Sequence, residues 1–248
     1  MPCSVCRRTA VFAITSVFLG SCAYADVFSM GTTLKSVELV PVGNAGNPGD
    51  TRWPNGPHGG VPYDFSIGKY EITAGQYTEF LNAVAKTDTY GLYNTLMAYD
   101  DIMSKWACNI RRSGASGSYV YTVASDWANR PVNYVSWGDA ARFCNLLTNG
   151  QPTGAQGLST TEDGSYYLNG ATTAAALMAV TRKTPAQGGL YYIPTENEWF
   201  KAAYHKNDGV TGNYWTYPTV SDSQPSNLLT SPDPGNNVNY WNPSPTIG

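Results

Sequence analysis

The sequence predicts a folded, loop-rich domain of the α+β class, and three observations predict it. Hydrophobic residues make up 42% of the 248 residues and charged residues only 13%, the reverse of the balance that keeps a chain disordered. There are 25 Gly and 16 Pro, too many turn formers for a helical bundle; this alone leaves α+β and all-β open. A short extended run followed by a capped amphipathic helix then occurs three times, and the α+β class is what the family resemblance given below implies. The net charge of −3 provides no basic field for nucleic acid. With two histidines, His58 and His205, a three-histidine metal site is excluded.

The chain opens as an export signal. Arg7 and Arg8 precede a ten-residue apolar run, residues 10–19, too short to span a bilayer. Ala23-Tyr24-Ala25 offers a small-x-small cleavage site, so residues 1–25 are expected to be removed. The alternative is a lipobox, Leu19-Gly20-Ser21-Cys22, which would place a lipid on Cys22. No later stretch is long and apolar enough to span a membrane.

Residues 34–42 read as a first strand and 43–62, dense in Gly, Pro and Asn, as a loop. Tyr63, Phe65 and Ile67 alternate with polar residues as a half-buried strand does, and residues 69–72 continue it. Thr73 and Gln76 have the spacing of a capping box, with Ile72 and Tyr77 as a hydrophobic staple. Tyr77, Phe80, Leu81 and Val84 follow on one helical face. Residues 132–135 are extended, and Ser136 opens a second helix with Asp139 at N3 and Trp137, Ala140, Ala141, Cys144 and Leu147 inward. Residues 149–190 read as an insertion with no core of its own and a helix-capable stretch at 171–180. Residues 191–193 read as a short strand. Thr195 then caps a third helix, with Glu198 at N3 and Trp199, Ala202 and Ala203 inward. Trp137 and Trp199 are therefore expected in the core.

Few residues carry chemistry. Cys108 and Cys144 lie beyond the export segment; they either pair in an oxidising compartment or stay buried as small apolar residues. The place of Cys144 on a core stripe favours the second. Glu196 and Glu198 have the spacing of helix-capping acids rather than of a catalytic pair, since residues two apart point to different sides. No nucleophile elbow accompanies either histidine, and the Gly-rich stretch 43–60 has no Lys-Ser/Thr to make it a phosphate loop.

Three segments in order carry a resemblance: 65–82 (FSIGKYEITAGQYTEFLN), 131–145 (PVNYVSWGDAARFCN) and 193–203 (IPTENEWFKAA). They resemble the sulfatase-modifying-factor family, whose best-known member is the formylglycine-generating enzyme, over residues 35–248. The resemblance implies a loop-rich fold related to C-type lectins, with little regular secondary structure. It implies O2-dependent oxidation of a cysteine in a sulfatase-like protein substrate, on copper held by two cysteines near the C-terminal end. In this sequence no cysteine follows Cys144, and the family's Gly-Asn-x-Trp-Glu-Trp and Arg-Gly-Gly-Ser-Trp segments are missing. The chain thus reads as a fragment or as inactive in that reaction. Asn239-Tyr240-Trp241 resembles the start of a calcium site, with the Asn239 side chain and the Tyr240 carbonyl as hard oxygen ligands. The readings held together are an exported oxidase or a piece of one, a non-catalytic lectin-like module that presents Tyr- and Trp-rich loops to a glycan or protein, and a structural cell-surface module.

Overall fold

The computed structural model describes residues 24–28, 35–98, 107–228, 232 and 234–238. Of the predicted export segment only Tyr24 and Ala25 are among them. Three strands, β1 (Tyr24–Phe28), β2 (Lys35–Val42) and β3 (Phe65–Gly68), form one antiparallel sheet in the order β1-β2-β3. The third strand stops at Gly68. Of residues 69–72, read from the sequence as its continuation, Lys69 still donates to the Glu38 carbonyl of β2 at 2.8 Å, and the rest lead into the next cap.

Helix α1 (Ala74–Val84) starts where its capping box was read. Thr73 accepts from the Gln76 amide and Gln76 reaches back to the Thr73 amide. Tyr77, Phe80, Leu81 and Val84 are all buried, as their spacing requires. They meet helix α2 (Trp137–Thr148) through Phe143, whose ring lies edge-on to Phe80 at 5.3 Å and is stacked on Tyr77 at 6.3 Å. A hairpin, β4 (Ile110–Ser113) and β5 (Val120–Val123), closes this cluster with Ile110 and Tyr121. Asn82 on α1 ties the hairpin down, its amide bonding both the N–H and the C=O of Tyr121 at 2.9 Å.

Helix α2 is buried on two sides, which a single apolar stripe does not anticipate. Every residue from Ala141 to Leu147 is buried. Phe143, Leu146 and Leu147 face α1, whereas Ala141 and Cys144 join Tyr166 and Leu168 in a second cluster. Segment 149–190 supplies that second cluster and the short helix α3 (Ala174–Met178). The Asn145 amide group donates to the carbonyls of Thr161 and Tyr166 and accepts from the Tyr166 N–H, all at 2.8 Å. Residues 191–193 are not a strand: the Tyr191 amide bonds Thr148 Oγ1 and the Ile193 amide bonds the Tyr166 hydroxyl, so side chains satisfy this backbone.

Helix α4 (Glu196–Tyr204) keeps its predicted cap but turns its other side inward. Glu198 is 3% exposed and Lys201 1%, while Trp199 is 53% exposed and Ala202 lies outside. Polar partners claim the inner side. Lys201 Nζ donates to the Asn44 carbonyl at 3.0 Å, and Asn197 accepts from the Gly59 amide at 2.8 Å. Gly59, at φ +81°, passes so close to Phe200 and Tyr214 that a Cβ there would collide with both. Trp137, the first residue of α2, is 42% exposed as well. Both tryptophans expected in the core are thus on the surface. We therefore expect Trp137→Ala and Trp199→Ala to change unfolding stability by only about 1 kcal/mol or less. Phe80→Ala, at a fully buried site, should lose about 3–5 kcal/mol. Urea titration of the three variants checks the contrast.

Candidate binding face

The two cysteines take their places first. Both are free and buried, Cys108 in the first cluster and Cys144 in the second. Burial pushes the Cys108 thiol up and the Cys144 thiol to about 12. Cys108 Sγ faces the Asn133 carbonyl, at 3.8 Å. A copper(I) centre needs soft thiolate ligands side by side, and these two residues do not fit one. Among the described residues no group of three His, Cys, Asp or Glu side chains is placed to hold a metal. Asn239 and Tyr240, the expected calcium ligands, lie outside the described residues.

The histidines are committed to structure. His58 Nε2 faces the Pro54 carbonyl at 3.3 Å and Nδ1 lies 3.2 Å from Glu196. His205 Nε2 faces the Thr211 carbonyl and Nδ1 accepts from the Asn207 amide. Glu196 and Glu198 separate as their spacing predicts: the Glu196 side chain is 76% exposed and that of Glu198 4%.

Glu198 is the centre of the arrangement that the helix starts build. As N3 of α4 it accepts from the Thr195 amide at 2.8 Å. Arg182 grips both of its oxygens, at 2.8 and 2.9 Å, and the Tyr63 hydroxyl donates to Oε1 at 2.7 Å. Burial alone would raise this carboxyl, but the bonds from Arg182, Thr195 and Tyr63 outweigh it and bring it to about 2. The carboxylate holds the Tyr63 hydroxyl protonated, raising its pKa. The Arg182 guanidinium carbon lies over Tyr192, 3.9 Å from the ring centroid. Tyr192 meets Tyr166 edge-on at 6.4 Å, and Tyr166 meets Trp137 edge-on at 5.4 Å. Gly189 lets the chain pass over the Tyr192 hydroxyl, where a Cβ would clash.

These contacts make one continuous strip, Trp137–Tyr166–Tyr192–Arg182–Glu198–Tyr63, joining the N-terminal ends of α2 and α4 to the approach to β3. Trp137 and Tyr63 are 42% and 46% exposed, and the Arg182 side chain is 30% exposed. Tyr166, Arg182 and Glu198 are locked by hydrogen bonds, Tyr192 is held by its ring contacts, and Trp137 and Tyr63 are open. Sequence reading placed Trp137 inside and gave Arg182 no role. Arg182 stands in the long segment without periodicity, where no spacing rule connects it to Glu198.

A family model for the sulfatase-modifying factor enzyme 1-like domain matches residues 28–245. No curated protein and no solved structure matches the chain. The matched range includes helices α1, α2 and α4 and the whole strip, and by that match the chain belongs to the sulfatase-modifying factor enzyme 1-like family.

Proposed function

We propose that this chain is an exported member of the family that acts as a binding module for a glycan or protein rather than as an oxidase of cysteine. The placement of the thiols carries this reading. Nucleophilic and metal-binding chemistry of cysteine requires the thiolate. Cys108 and Cys144 are buried apart from each other with raised pKa values. The face that is open carries aromatic rings and an arginine instead. The purified 248-residue chain, supplied with copper and O2, should leave a sulfatase-type cysteine peptide unoxidised. Mass spectrometry of the peptide reads the result, because conversion of thiol to aldehyde lowers its mass. Turnover that disappears in Cys108→Ala or Cys144→Ala would defeat the binding reading.

Export belongs to the same proposal. The Arg pair, the short apolar run and Ala23-Tyr24-Ala25 support removal of residues 1–25. N-terminal sequencing of secreted material should begin at Asp26. A lipid-modified Cys22 would replace simple secretion with an anchored form, and an intact Met1 would discard both.

A further inference from the structure

We infer that Asn55 is a site of spontaneous covalent modification, where the side-chain amide is lost as ammonia and replaced, through a cyclic imide, by aspartate and isoaspartate. Three asparagines precede a glycine in this chain, Asn55, Asn149 and Asn169. Glycine has no Cβ to shield its own amide nitrogen, so by sequence all three side chains are open to attack by the nitrogen that follows them. All three asparagines are exposed as well. What separates them is hydrogen bonding. The reaction needs a side-chain amide free to turn toward the next nitrogen, and a nitrogen whose N–H is not held elsewhere.

Asn149 fails the first requirement. Its side-chain amide donates to the Thr160 and Asp163 carbonyls at 2.9 and 2.7 Å, and the Gly150 amide is bound to the Leu147 carbonyl at 3.1 Å. Asn169 fails the second. The Gly170 amide donates at 2.8 Å to Glu162 Oε2, in the buried pair with Arg142. Neither site reacts until the bonds between segment 149–190 and α2 are undone, and such an opening costs much of the stability of the domain.

Asn55 meets both requirements. Trp53-Pro54-Asn55-Gly56 is a turn with Pro second and Asn third, the Asn at φ +64°. Among the described residues the Asn55 side chain has no hydrogen-bond partner. The Gly56 amide makes only the turn bond to the Trp53 carbonyl, and at 3.3 Å this is the longest of the three glycine bonds. Residues 53–57 are all exposed, so breaking that one bond frees the nitrogen and lets Asn55 leave its left-handed conformation.

The Gly56 nitrogen then attacks the side-chain carbonyl carbon of Asn55. The bond from that carbon to the amide NH2 breaks, and ammonia leaves with the proton that Gly56 gives up. Water opens the ring. Addition at the side-chain carbonyl gives aspartate; addition at the main-chain carbonyl gives isoaspartate, whose backbone runs through the former side chain. Water is the only co-reactant, and nothing is oxidised or reduced. Both products add a negative charge, and isoaspartate adds a backbone carbon, to a loop that Asp50 and His58 close with paired backbone bonds of 2.7 and 3.0 Å. His58 ties this loop to Glu196 at the start of α4, so the modification changes both the charge and the length of that tether.

Incubation of the 248-residue chain in mildly alkaline buffer made with heavy-oxygen water, followed by peptide mass spectrometry, tests this. Label should enter the Asn55 peptide about tenfold or more faster than the Asn149 and Asn169 peptides. Electron-transfer fragmentation should find isoaspartate at position 55, and ion exchange should resolve a more acidic form that grows at the same rate. In concentrated urea the three rates should converge, because the protection is structural. Asn55→Gly suits the left-handed position and should abolish the early acidic form with unchanged thermal melting. An Asn55 that keeps its amide in the folded chain overturns the assignment. So does label that enters first at Asn149 or Asn169, or a ratio among the three that urea leaves unchanged.

Discussion

Replacing Glu162 by Ala is expected to remove about 3–5 kcal/mol of stability, a large part of the roughly 5–15 kcal/mol that a domain has. Glu162 and Arg142 each have side chains 2% exposed, joined by bonds of 2.7 and 2.9 Å. Arg142 also donates to the Ala171 carbonyl and lies over the Tyr90 ring, while Glu162 accepts from Thr161 and from the Gly170 amide. Removing the carboxylate leaves a guanidinium enclosed without its counter-charge. The penalty comes from that orphaned charge more than from the lost attraction. The double variant Arg142→Met/Glu162→Leu should therefore be more stable than Glu162→Ala alone. Urea unfolding of the three proteins measures this. A Glu162→Ala protein that unfolds within about 1 kcal/mol of the parent would mean that water reaches the pair.

Acid should expose the second large effect. The Glu198 carboxyl is brought from its ordinary 4.5 to about 2 in the folded chain. A lowered folded pKa means stability that is present in full above the unfolded value and lost as pH falls through the folded one. The window is therefore from 4.5 down to about 2, and the linked stability is about 3 kcal/mol. In Glu198→Gln this part of the acid dependence should vanish, and stability at neutral pH should be lower by a similar amount. The comparison requires unfolding curves of both proteins across that range. Parallel acid profiles would show that Arg182 and Tyr63 do not hold the charge as the geometry requires.

What was legible in the sequence was local. Thr73, Ser136 and Thr195 identified three helix starts because a capping box is written within four residues. The inner face of α1 was legible too, since its apolar residues all face one core. Facing direction failed where polar bonds set it. In α4 an apolar-inward rule put Trp199 and Ala202 inside, but Arg182 and the Asn44 carbonyl draw Glu198 and Lys201 there instead. The strand read at 191–193 is absent because Thr148 and Tyr166 side chains satisfy its amides. The β4–β5 hairpin was not read at all: Arg111 and Arg112 interrupt any alternation between Ile110 and its partners. The candidate face was the least legible part, because Arg182 reaches Glu198 across sixteen residues of sequence with no periodicity to connect them.

Helix α2 makes the two hydrophobic clusters share a wall. A surface loop of some forty residues ordinarily tolerates lengthening and nicking, because closing a longer loop adds little entropy. Segment 149–190 has surrendered that freedom. Tyr166 and Leu168 complete one flank of a helix whose other flank seats Phe143 and Leu146. Detaching the segment would strip α2 and expose the groups that Asn145 and Arg142 now satisfy, so it opens only at an energy near that of the whole domain. A stretch with scarcely any helix or strand thereby becomes, through Tyr166, Leu168 and Glu162, a cooperative part of the fold.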